Sequence, residues 1–191
     1  MHVIEPFEKW LSIYDPVDDE KSPFFNQEYN EEFYEKKIYN YYIHPYWDDI
    51  ESETLYIKVL FVDYKINFCI IELMGEWNDV LHNDIMHLKR NLLDIMLENG
   101  ISKYILIAEN ILDYHHDDDS YYEEWREELS DNDGWVYMIN LQEHVYQEYN
   151  RSKTKNYIPA SSEENNIEWR KLSPQKIFEL FEGMQMRRIE R

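Results

Sequence analysis

The densest run of side chains able to do chemistry is His115-His116-Asp117-Asp118-Asp119. Imidazole nitrogen and carboxylate oxygen together suit a divalent transition metal, so His115, His116 and Asp117 are the candidate ligands. Adjacent loop residues rarely converge on one ion, however, and no distant further ligand is evident. The competing reading is a solvated acidic loop whose last acids complement the dipole of a following helix. No cofactor is expected beyond a divalent metal on that loop.

The remaining constellations are weaker. His82 and His87 lie five apart, about 140° around a helix, and cannot share an ion as residues four apart can. Glu123, Glu124, Glu127 and Glu128 could supply an acid and a base. A charged helix face with Trp125 turned inward explains them as well. There is no Gly-x-Ser-x-Gly, and Cys69 sits inside an apolar run as a small buried hydrophobe. Gly75, Gly100, Gly134 and Gly183 are too scattered to form a phosphate-binding loop.

Charge narrows the partners. Residues 1–150 hold 34 of the 40 acids but only 10 of the 19 lysines and arginines. Residues 107–134 carry 11 carboxylates against Arg126. Such a field repels nucleic-acid backbones and anionic lipid, and attracts basic protein surfaces. The leading expectation is a non-enzymatic module that binds a protein partner through Asp117, Asp118, Asp119, Ser120, Glu123 and Glu124. A metal-dependent enzyme centred on residues 115–119 is the alternative. An acidic mimic of nucleic acid is a third reading. The basic stretch 151–191 is expected to fold back on the acidic body, to pack as an ordinary helix, or to offer a stripe to a partner or to a second copy in a homodimer.

The elements that must position these residues follow from patterning. The 43% apolar content is globular, and 191 residues suffice for one buried core. The 17 tyrosines are expected at the core edge with wet hydroxyls. No apolar run approaches membrane-spanning length and no signal peptide is evident, so a cytoplasmic location is expected. Prolines are absent from 46–158, which marks a core domain of 38–150 between an aromatic, acidic arm (1–37) and a basic linker with a C-terminal helix (151–191). Within the first arm, 26–37 suits a short helix. A first strand is expected over 38–46. Residues 54–63 and 66–74 read as an antiparallel hairpin turning at Tyr64-Lys65. Gly75 should end the second of these strands. A helix over 79–98 follows, capped by Asn78, with Leu81, Ile85, Leu88, Leu92 and Ile95 on one face. Gly100 supplies its stop. A strand over 101–108 then completes a parallel crossover. Beyond a polar loop (109–120), a helix over 121–129 fits a capping box of Ser120 and Glu123. A strand over 135–140 and a helix over 141–149 come next. A linker (151–166) leads to a helix from Pro174 to about Met186, with Ile177, Leu180, Phe181 and Met184 as its stripe.

The run IIELMGEWNDVLHNDIMHLKRNLLDIMLENGISKYILIAEN, together with the element order, resembles the STAS (anti-sigma-factor antagonist) family. Gly75, Glu76 and Glu109 stand at the matching points. The resemblance implies an α/β fold: a small mixed sheet with an antiparallel strand pair followed by β-α-β-α-β-α units, flanked here by N- and C-terminal helical arms. It also implies a regulatory serine at the start of the helix after the second strand of that run. Ser120, in Asp119-Ser120-Tyr121-Tyr122, holds this place.

Overall fold

A computed structural model describes residues 2–30, 34–160 and 164–189. Two mixed sheets are present. The smaller joins β1 (His2–Ile4), β3 (Tyr41–Ile43) and β2 (Lys37–Ile38) in that order, with β1 parallel and β2 antiparallel to β3. The larger runs β4-β5-β6-β7-β8, formed by Asp48–Asp49, Leu55–Asp63, Phe68–Asn78, Lys103–His115 and Trp135–Ile139. Its first pairs are antiparallel, while β6–β7 and β7–β8 are parallel. An antiparallel pair followed by β-α-β-α-β-α is the expected mixed α/β order.

Period-two burial gives the sheet two cores. Cys69, Ile71 and Leu73 face one way, with Tyr104, Leu106, Val136 and Met138. They are covered by α1 (Asp84–Leu88), α2 (Asp94–Glu98), α3 (Ser120–Asp131) and α4 (Glu143–Arg151). Phe68, Ile70, Ile105, Ile107, Trp135 and Tyr137 face the other way. There α5 (Pro174–Ile189) buries Ile177 and Phe181, beside Trp10 and Trp169. The C-terminal helix therefore packs on its own sheet. β6 is buried on both faces, and Cys69 is fully buried on it.

Several expectations are corrected. The N-terminal arm has no α-helix among its described residues: 27–30 and 34–36 are irregular, Lys37–Ile38 is β2, and 31–33 lie outside the described residues. The strand expected over 38–46 is broken, because Tyr39 turns with φ 51° before β3. The hairpin turn is four residues long, with Asn67 at φ 58° supplying the left-handed position. β6 does not stop at Gly75. It bulges there (φ 119°), at a position held for glycine because a Cβ would lie 2.1 Å from the Thr54 carbonyl oxygen, and it continues to Asn78. The helix consequently begins at Asp84, and Leu81 is 76% exposed. A π-helical turn, Lys89–Leu93, then inserts one extra residue per turn and rotates the second half. Leu93 and Met96 are buried there, and Ile95 only half so. Gly100 (φ 89°) ends the run as expected. The polar loop begins later than expected, since β7 continues to His115.

The wet-tyrosine expectation fails in the core. Tyr104, Tyr122, Tyr137 and Tyr149 are at most 1% exposed. Tyr104 Oη donates to the Ile101 carbonyl at 2.9 Å, and Tyr149 Oη donates to that of Ile158. Burial without such acceptors would cost about 1–3 kcal/mol each.

Candidate functional site

The sequence-selected cluster lies where β7 ends and α3 begins, at the carboxyl edge of the parallel strands, where open α/β sheets place their sites. Strand alternation separates the two histidines. His115, half exposed, places Nε2 3.3 Å from Asp113 and 3.5 Å from Glu76. His116 turns to the other side: Nδ1 is 3.0 Å from Thr154 Oγ1 and Nε2 is 2.8 Å from Asp119 Oδ1. Asp117 is exposed and pairs with neither. Among the described residues no three His, Cys, Asp or Glu side chains are grouped to hold a metal ion.

Asp119, His116 and Thr154 line up as carboxylate, imidazole and hydroxyl. Thr154 is fully buried, and Tyr114 Oη donates to its Oγ1 at 2.5 Å. A substrate carbonyl has no approach to that oxygen, so the line is a strut. It ties the acidic loop to the 3₁₀ turn Thr154–Asn156. Lys153 reaches Asp119 Oδ2 at 3.4 Å and strengthens the same tie.

The helix after the loop is capped differently from the sequence expectation. Asp119 is the N-cap and Ser120 already belongs to α3. The Ser120 N–H donates to Asp118 Oδ1 at 2.7 Å, and its hydroxyl bonds the same oxygen. Glu124 meets Arg90 at 3.1 Å and Lys89 at 3.5 Å, which fastens α3 to the preceding helical run. Glu123 is exposed. Asp117, Asp118 and Glu123 therefore form an outward face, while Asp119 and Glu124 are committed internally. Glu127 and Asp131 continue that face at four-residue spacing, with Asp133 just beyond, and none of them pairs with a described lysine or arginine.

A buried polar centre behind this face had no sequence signal. Asp79 accepts from the Ile85 N–H at 2.9 Å, Trp77 Nε1 at 3.1 Å and the Tyr122 hydroxyl. Burial raises its carboxyl to about 6, although all three donors pull it down.

A second missed feature crosses the opposite face of the sheet. Lys58 on β5 and Glu72 on β6 are buried and stand opposite each other. Lys58 Nζ lies 3.3 Å from Asp48 Oδ2 and donates to Tyr29 Oη at 2.6 Å. Glu72 accepts from the Phe7 N–H at 2.9 Å and Asn110 Nδ2 at 3.1 Å, with Arg170 at 3.6 Å. Arg170 also pairs with Glu109 and lies over Trp169, 4.4 Å from the ring centroid. The basic C-terminal stretch thus folds back on the acidic body here and at Lys153.

No protein-family model matches the sequence, and no curated protein matches it. Among solved structures, the fold is similar to a crystal structure from Thermotoga maritima described as a "putative anti-sigma factor antagonist". The identity is 14%, over 53% of this chain and 80% of that one, with a TM-score of 0.39. A likeness at that level transfers no residue role. No described helix is long and apolar enough to cross a membrane.

Proposed function

We propose that the chain is a non-enzymatic, cytoplasmic regulatory module that captures a basic protein surface along the outer face of α3. The observation behind this reading is the row Glu123, Glu127 and Asp131, extended by Asp117 and Asp118 at one end and Asp133 at the other. It is exposed and pairs with no lysine or arginine among the described residues. Glu123 to Asp131 spans eight residue steps of helix, about 12 Å, enough for several ion pairs at once. Single exposed pairs contribute little, so capture rests on the sum and on steering. Ser120, exposed at the base of this row, is the proposed modification point, where a phosphate would add charge beside Asp117 and Asp118.

The test compares the wild-type chain with E123Q/E127Q/D131N, each immobilised in its native lysate at low and then high salt. A protein retained by the wild type, released by salt and lost in the variant is the expected result. The same proteins retained by both chains would overturn the reading. Glu124→Gln should weaken folding instead, because Glu124 is tied to Arg90 and Lys89.

A further inference from the structure

The other face of the sheet holds a cavity of about 320 Å³, near the lower end of the range for small-ligand sites. Phe7, Leu11, Val17 and Tyr46 give it mostly apolar walls, and Lys58 lies at its base. A lysine 5% exposed that still lines a cavity is unusual, because burial costs an ammonium its hydration. The other buried lysine, Lys89, is explained by three surrounding carboxylates. Lys58 has one carboxylate in direct contact, Asp48, and one phenol, Tyr29, with Glu8 and Asp15 farther off along the same cavity.

We infer that this cavity binds a small, largely apolar aldehyde or ketone and holds it as an imine on Lys58 Nζ. Charge selects the ligand class. Glu8 and Asp15 line the same cavity and oppose an anion, while the apolar walls oppose a strongly hydrated cation. A neutral electrophile meets neither objection. The surroundings also favour the free amine. Burial drives Lys58 below the usual lysine value, Asp48 and, more weakly, Asp15 and Glu8 offset this in part, and burial likewise raises Asp48.

The proton has a path. Lys58 Nζ donates to Tyr29 Oη at 2.6 Å, and Tyr29 Oη donates to Asp48 Oδ1 at 2.6 Å. Gln27 Nε2 steadies that carboxylate at 3.2 Å. The ammonium proton passes along this line to Asp48. The amine lone pair then forms the C–N bond as the carbonyl π pair moves to oxygen. A proton then moves from that nitrogen to the alkoxide oxygen, which gives a neutral carbinolamine. Asp48 returns its proton through Tyr29 to the hydroxyl, the nitrogen lone pair forms C=N as water leaves, and the last N–H proton goes back along the same line to Asp48. Amine and carbonyl give imine and water, with no change of oxidation state.

The experiment uses the full chain with benzaldehyde and cyanoborohydride, followed by peptide mapping of the benzylated lysines. We expect Lys58 to carry roughly tenfold more adduct than any exposed lysine. Tyr29→Phe should slow labelling of Lys58 several-fold without changing labelling elsewhere. Lys58→Arg should abolish the dominant adduct. The wild-type map stands whether or not that variant folds. Adduct spread over exposed lysines with Lys58 unmodified, or equal labelling of Lys58 in folded and urea-unfolded chain, would overturn the inference.

Discussion

Lys58 and Glu72 face each other across the β5–β6 register, both buried, yet they form no ion pair. Lys58 turns to Asp48 and Tyr29. Glu72 turns to the backbone of Phe7, to Asn110 and to Arg170. The two terminal segments thereby become part of the charge balance of the sheet. Apolar clusters flank this band: Leu60, Ile70 and Trp135 belong to one, Tyr56 and Met74 to the other.

Glu72 should make stability depend on pH in a stated direction. Burial lifts its carboxyl from 4.5 to about 7, against the pull of the Phe7 N–H and Arg170. Between those values the folded chain keeps a proton that the unfolded chain releases. Stability therefore falls as pH rises through that window. Glu72→Gln should remove this slope and be more stable than the wild type by about 1–3 kcal/mol near pH 8. Urea unfolding across the window checks it. Parallel wild-type and variant curves would show that Glu72 does not carry the effect.

Tyr122→Phe tests the Asp79 centre. The lost hydroxyl removes a donor from a buried carboxylate, at a cost of about 1–3 kcal/mol. Because that hydrogen bond holds Asp79 down, the variant's Asp79 should rise above its present value of about 6. Loss of stability with rising pH should then extend to higher pH, by the same sign as for Glu72. Trp77 stacks on Tyr122 with centroids 6.3 Å apart, so near-UV dichroism reports on the site directly. An unchanged midpoint at every pH would contradict the assignment.

The strand pair and α5 were legible from long apolar runs and three-to-four spacing, and the crossover only in outline, because its helix starts late at Asp84 and the π turn Lys89–Leu93 breaks its apolar period. The Lys58–Glu72 opposition was not, and the reason is register. A two-residue turn at Tyr64-Lys65 would pair Lys58 with Ile71. The four-residue turn and a bulge between Val59 and Phe61 move its partner to Glu72. Neither device has a strong sequence mark. The aromatic spacing of 26–37 fits a helix, yet Tyr29 is held instead by Asp48 and Lys58, contacts from residues distant in sequence. At the acidic loop the residue types were visible. The opposite turns of His115 and His116 depended on β7 running seven residues past Ala108.

Two glycines should respond in opposite ways. Gly75→Ala places a Cβ 2.1 Å from the Thr54 carbonyl oxygen at φ 119°, so the bulge must move. A loss of about 3 kcal/mol or more is expected. Gly183 lies inside α5 with nothing within 4 Å of an added Cβ. Gly183→Ala should stabilise by about 0.5–1 kcal/mol through helix propensity. Denaturant midpoints of the two variants decide it, and equal effects would refute the bulge argument.

Lys89 sets the last expectation. The π turn places it fully buried, with Asp94 at 2.6 Å, Glu128 at 2.8 Å and Glu124 at 3.5 Å. Lys89→Met keeps the volume but leaves three carboxylates facing one another, with only Arg90 to offset Asp94 and Glu124. A loss of about 2–4 kcal/mol is expected, most of it repulsion. Glu128→Gln in the same chain should then recover part of the loss, although alone it destabilises, and a double-mutant cycle measures that coupling. Because the three carboxylates are partly exposed, 1 M salt should also recover part of the single variant's loss. A loss that neither salt nor Glu128→Gln relieves would mean that Lys89 acts through the packing of its alkyl chain, and that the charges between α3 and the π turn do not hold the two together.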